Sequence, residues 1–211
     1  MSTAPNLHTL LEEALTQVPG LSREVLEATQ DELEAKAQHY PLLEAWRRLR
    51  GRFTADFEAA LIPLLHAARR GEDPLQRRPG SFDSLSLVDE HQALQDVAIA
   101  HAIHVVEELS RPELHQLGNF FAALRGTARA RSNDNPLRPA LFAQALHQAL
   151  LGAPLEAQRR YELMRVAADP LARALHRLYT DLCSQLREAA LSQLVASHGS
   201  HLIDADAAQR L

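Results

Sequence analysis

The sequence predicts an all-α fold, an irregular multi-helix bundle of about seven or eight helices with no sheet, on three observations. Apolar residues recur at intervals of three, four and seven over most of the chain, no stretch alternates apolar and polar residues long enough for a strand, and no self-similar period marks a solenoid. Composition agrees. Ala and Leu dominate while aromatic residues make up only 5%, a mixture that favours helix.

The elements follow in order. A short first helix is expected from about Leu7 to Gln17, closed by Pro19-Gly20. Leu26, Leu33, Tyr40, Leu43, Trp46, Leu49, Phe53, Phe57, Leu61 and Leu64 then share one helical face. Pro41 is the expected break in that face, because it lacks an amide donor and disfavours helix at Tyr40, and Pro63 is expected to kink the later turn. Residues 71–85 carry two Gly and two Pro without a period and read as a linker loop. This candidate boundary separates N-terminal helices in residues 1–70, a hairpin or an arm, from a C-terminal helical bundle in residues 86–196.

Ser86-Leu87-Val88-Asp89 has the form of a helix start, with an acid against the positive end of the helix dipole. That helix should run to about Leu109. The next has Pro112 in its first turn and aligns Leu114, Leu117, Phe121 and Leu124. Arg131 to Pro139 is the clearest turn in the chain, since Asn and Asp bond their own backbone and each Pro blocks helix before it. Helix resumes at Pro139 with Leu141, Phe142, Ala145, Leu146, Ala149 and Leu150, and stops at Gly152. A further helix is expected from about Leu155 to Ala168, ending before Asp169-Pro170. A last one runs from Leu171 to about Ala196, and residues 197–211 are expected to form a flexible tail.

At 211 residues the chain can bury roughly 70% of its unfolded surface and needs no covalent staple. Its single cysteine, Cys183, excludes an internal disulfide, and the start lacks a signal-peptide pattern, so a cytoplasmic location is expected. No run approaches the ~18 apolar residues of a membrane span; the best, Val97 to Val106, is interrupted by His101 and His104. A net charge of −5 argues against a general phosphate-backbone binder, and nucleic acid is not an expected partner. The glycines are scattered singly, without a phosphate-cradling motif, so no nucleotide cofactor is expected.

Three groups of residues are candidates for chemistry. His101, His104 and Glu107 stand three apart on one expected helix and form a candidate metal site or hydrolytic centre. The competing reading places His101 on the apolar stripe of Leu94, Val97 and Val105 and leaves His104 in solvent; the paired motifs of di-iron bundles and of metalloproteases are missing. Arg47, Arg48, Arg50 and Arg52 form a basic cluster able to meet an acidic partner, or a solvated face neutralised by Glu44, Asp56 and Glu58. Arg131-Ser132-Asn133-Asp134 and the Arg125/Arg129 pair formally match arginine patterns of cyclic-dinucleotide sites, although those belong to β-containing domains. Cys183 on an apolar stripe reads as packing, and Ser192 with His198 has no triad context.

From Ser81 onward the residues carry a family resemblance. Ser81-Phe82-Asp83-Ser84-Leu85-Ser86-Leu87-Val88-Asp89-Glu90, then Asp134-Asn135-Pro136-Leu137-Arg138-Pro139 with Leu141-Phe142, together with Trp46-Arg47-Arg48-Leu49-Arg50-Gly51-Arg52-Phe53, resemble the N-terminal part of the bacterial domain-of-unknown-function family 1631. The resemblance implies no established activity; a thymidine phosphorylase label sometimes attached to the family finds no supporting motif in this chain. It also implies longer members, some associated with PilZ-type cyclic-dinucleotide signalling. A constrained Asn-Pro-Leu-x-Pro loop is able to present Arg131, Asn133, Asn135 and Arg138 to a partner. The functional expectation is a non-enzymatic helical interaction module, regulatory or scaffolding, with a protein partner or self-association. The alternatives are a metal-dependent or hydrolytic enzyme at His101, His104 and Glu107, and an anionic-ligand binder acting through the arginine clusters.

Overall fold

A computed structural model describes residues 7–36, 39–75, 90–124, 126, 135–153 and 155–208. Among them the chain forms helices and no strand: α1 (Leu7–Ala35), α2 (Tyr40–Arg69), α3 (Glu90–Leu109), α4 (Arg111–Leu124), α5 (Pro139–Leu151) and α6 (Ala157–Ala208). The all-α class therefore holds, with six described helices in place of seven or eight.

The lower count has one physical cause, which is that prolines expected to divide helices lie inside them. Pro19 sits within α1 and Pro170 within α6, whereas Pro63, expected only to kink its helix, lies inside α2. A proline in a helix interior costs about 3 kcal/mol, whereas each buried Leu or Val returns about 1.5–3 kcal/mol. In α1 the buried stripe Leu10, Ala14, Val18, Leu21, Val25 passes Pro19 in phase, and breaking the helix there would forfeit half of it. The carbonyl of Pro19, which is itself exposed, also accepts the Ser22 hydroxyl at 3.1 Å and Arg23 Nε at 3.2 Å. In α6 the same continuity runs from Leu163 and Ala167 through Leu171, Leu175, Leu178 and Leu182. This last helix also continues past the expected end near Ala196, through Gly199.

Pro41 behaves as its position dictates, standing at the first turn of α2, where its missing amide has no intrahelical partner to lose. Tyr40, counted on the apolar face, is exposed because it stands at that helix start. Helices α1 and α2 form an antiparallel hairpin pinned by Glu12–Arg69, by Ser22 donating to Glu58 at 2.8 Å, and by Arg50 donating to Gln30 at 3.2 Å. Trp46, Phe53 and Phe57 fill its inner face, with ring centroids 5.0 Å and 5.9 Å apart. Helix α2 closes on Gly71, whose φ of 79° allows the reversal that carries its amide to the Ala68 carbonyl.

The hairpin does not project as an arm. Helix α1 packs on α6 and α2 packs on α5, while α6 also receives α3, α4 and α5. Helix α5 lies in the middle: Leu141, Phe142, Ala143, Ala145, Leu146, His147, Ala149 and Leu150 are all buried. A helix apolar on nearly every face is stable only when surrounded.

Replacing Pro63 by Ala should raise the unfolding free energy by about 1–2 kcal/mol, because the site is exposed and the added amide restores a helix hydrogen bond. Chemical denaturation of both proteins checks this; a loss of stability would show that the proline shapes the helix.

Candidate functional site

The expected partner-binding loop divides in the structure. Arg131 and Asn133 lie outside the described residues, as do Arg125, Arg129 and residues 76–89 with most of the Ser81–Glu90 motif. Asn135 and Arg138, offered as partner contacts, are instead built into the fold, with exposures of 6% and 7%. The Asn135 side-chain oxygen accepts the Leu137 amide at 2.8 Å, and its carbonyl accepts the Arg138 amide at 3.2 Å, which makes a closed turn. The Arg138 guanidinium reaches Asp73 beyond the end of α2, and Tyr179 of α6 donates its hydroxyl to the Leu137 carbonyl at 2.8 Å. Burial, with a smaller contribution from Glu107, pushes the Tyr179 phenol far above its ordinary value, so it remains a donor. Buried polar groups need these partners, and once they are supplied the two side chains have no free face.

The Arg47–Arg52 cluster is largely neutralised on its own helix. Arg47 bonds Glu44 at 3.0 Å and Arg52 bonds Asp56 at 2.6 Å, while Arg50 turns to Gln30. Glu58, expected to join them, is committed to Ser22. These pairs are solvent-facing, so each contributes little to stability.

His101, His104 and Glu107 do not converge. Residues three apart on a helix differ by about 60° in direction and residues six apart by about 120°, which turns Glu107 away from His101. His101 lines a cleft of ≈ 550 Å³ between α1, α3 and α6, facing Glu32, Lys36, Glu162, Arg165 and Asp169, whereas His104 lines a neighbouring groove. Among the described residues no three His, Cys, Asp or Glu side chains lie close enough to hold a metal ion. Nor does His101 sit on the buried stripe of α3. That stripe is Ala98, Ala102 and Val106, and Val97 is 54% exposed.

The neighbouring groove, of ≈ 560 Å³, runs between α3 and α6. Val105, Leu109 and Ala172 form its apolar floor, and His104, Glu108, Asp169 and Arg173 its polar edges. Asp169 belongs to both hollows, so they adjoin along one side of α3.

Two constellations were missed in the sequence. Ser110, His176 and Glu113 meet where α3 turns into α4: the serine hydroxyl is 3.4 Å from His176 Nδ1, and a Glu113 carboxylate oxygen is 3.7 Å from that same nitrogen. A hydrolytic triad needs the acid and the serine on opposite ring nitrogens, so this arrangement is not one. The run Ser110-Arg111-Pro112-Glu113 has capping-box spacing, the signal that would have placed both residues at a helix start. Cys183 Sγ lies beside them, 3.7 Å from the Glu113 carbonyl, and burial raises its thiol pKa, so it stays protonated and packed.

The second constellation is His147, 5% exposed on α5, with neither ring nitrogen hydrogen-bonded among the described residues. Gln95 from α3 and Arg160 and Tyr161 from α6 border the same small cavity, and Asp96 lies near enough to act through its charge. Burial is the largest cause holding the imidazole below its ordinary value; Arg160 adds to it and Asp96 opposes it. Its signal was the mostly apolar surround of residues 141–150, interrupted only by Gln144 and Gln148, which places a histidine there close to the core.

Among known proteins, the family model described as "Protein of unknown function (DUF1631) N-terminal domain" matches residues 3–190. No curated protein and no solved structure matches the chain.

Two outcomes follow. Asn135→Ala should lower stability by about 1–3 kcal/mol, since the Leu137 amide loses its partner inside the protein, and thermal melting should register it. His147 titrates lower folded than unfolded, so as pH falls below the unfolded value of about 6.5 the unfolded chain takes up the proton first and stability drops. His147→Leu should flatten the melting-temperature decline between pH 7 and pH 5; an unchanged slope would remove His147 as its source.

Proposed function

Because this chain belongs to the family described as "Protein of unknown function (DUF1631) N-terminal domain", we propose that it is a non-enzymatic helical interaction module, regulatory or scaffolding, in the bacterial cytoplasm. The observation that carries the reading is the groove between α3 and α6. Helix α3 holds more apolar surface than the core consumes: Ala98, Ala102 and Val106 face inward, while Val97 and Leu109 remain 54% and 44% exposed. Along α3 the groove lining runs from His104 to Leu109, a rise of about 8 Å, room for one to two turns of a partner helix alongside.

Charge favours a protein occupant. Glu32, Glu108, Glu162 and Asp169 line the adjoining hollows together with Lys36, Arg165 and Arg173, a mixture that would repel a nucleic-acid backbone at half its positions and suits a helix with flanks of both signs. No helix of the described residues is long and apolar enough to cross a membrane, which agrees with a role away from the bilayer. The metal-enzyme reading loses support from the divergence of His101 and Glu107, and the arginine-cluster reading from the carboxylates already paired with Arg47, Arg52 and Arg138.

A photo-crosslinking residue placed at Leu109 should trap a protein partner in the native host, and one placed at exposed Gln158 should not. Adding His104→Arg, on the lip of the same groove, should reduce the Leu109 crosslink at least about tenfold without lowering the melting temperature, because the site is exposed. Equal crosslinking at the two positions, or none at Leu109, would overturn the reading.

A further inference from the structure

The two hollows beside α3 hold their charges in two conditions. Some are matched: Glu32 bonds Arg173 at 3.2 Å, Glu108 pairs with Arg111, and Glu162 accepts the Gln158 amide at 3.4 Å. Asp169 and Arg165 are not. The Asp169 carboxylate, which lines both hollows, joins no hydrogen bond or ion pair with a described residue, and the Arg165 guanidinium only stands over the Tyr161 ring, 5.8 Å from its centroid. Both side chains are exposed, four residues and about 6 Å of rise apart on α6. A base followed by an acid is the weaker order for a pair within one helix, which leaves each available to another molecule. Beside them Leu109 lines the groove, while Val97 stands one turn before His101 of the cleft and about 40° from it around α3, and both are exposed.

We propose that the occupant of the α3–α6 groove is a second copy of this chain, docked about a two-fold axis so that Arg165 of each copy meets Asp169 of the other. This rests on the groove reading above and names its partner. A surface presenting an unmatched acid and an unmatched base one helical turn apart becomes its own complement when rotated by half a turn, because the two groups exchange places. A partner of uniform charge meets one like charge for every opposite one on this surface. Glu32, Glu108 and Arg173 are already matched, so they bring no uncompensated charge into the contact. Val105, Leu109 and Ala172 of both copies lose water together and supply the attraction, while the two ion pairs set the register.

Sedimentation of the full chain should show a dimer that gives way to monomer on dilution. Asp169→Arg and Arg165→Asp, each at an exposed site, should each weaken that dimer at least about tenfold, since each sets like charges face to face twice. Mixed in equal amounts, the two variants should associate again. In the mixture every acid faces a base across the contact, a rescue that pairing within one helix cannot produce. If either variant loses its helical circular-dichroism spectrum, Asp169→Lys or Arg165→Glu takes its place. A chain monomeric throughout, single variants that still dimerise, or a mixture that stays apart would overturn the proposal. A Leu109 crosslink to a protein of different mass would overturn the second copy and leave the groove standing, whereas the groove itself fails only if Leu109 traps nothing.

Discussion

A short helix that is apolar on nearly every face has to be enclosed, and the arrangement of this protein follows from enclosing α5. Thirteen residues from Pro139 to Leu151 bury Leu141, Phe142, Leu146 and Leu150 on different sides, so no single neighbour covers them. Helices α2, α3 and α6 supply the three walls. Enclosure creates a second demand at the helix start, where backbone groups lose water as well. The turn before α5 meets it with the Asn135 side chain, the Tyr179 hydroxyl and the Arg138–Asp73 pair, contributed by three separate parts of the chain.

The same burial explains the long helices. Proline weakens a helix locally by a roughly constant amount, but the apolar stripe of α1, α2 or α6 is a collective quantity that any break would interrupt. Where the stripe passes the proline in phase, the helix survives; where the proline stands at a first turn, as Pro41 and Pro139 do, it costs nothing and marks a beginning.

Charged groups separate into two populations. On the surface, Arg47, Arg52 and Arg173 are matched by acids on their own or a neighbouring helix, which consumes the positive charge a nucleic-acid surface would require. Inside, His147 is held among apolar side chains with neither ring nitrogen hydrogen-bonded among the described residues. Between these populations lies the groove side of α3, where Val105 and Leu109 are neither core nor ordinary surface. Family membership covers most of the chain and is compatible with that groove being functional, because its lining falls within residues 3–190.

The sequence by itself determined the helical class, the hairpin break before Pro41, the start of α5 at Pro139 and its end near Gly152, since spacing and turn residues act over a few neighbours and can be read locally. It also contained the family motifs that the chain's membership confirms. It could not show that Pro19 and Pro170 lie within helices, because the burial that outweighs them comes from segments far away in the chain. Nor could it reveal that Asn135 and Arg138 face inward, or that His147 and Arg160 share a cavity. Those outcomes depend on which helix faces meet, and only the packed tertiary structure, in which residues dozens of positions apart compete for the same water-free space, decides them.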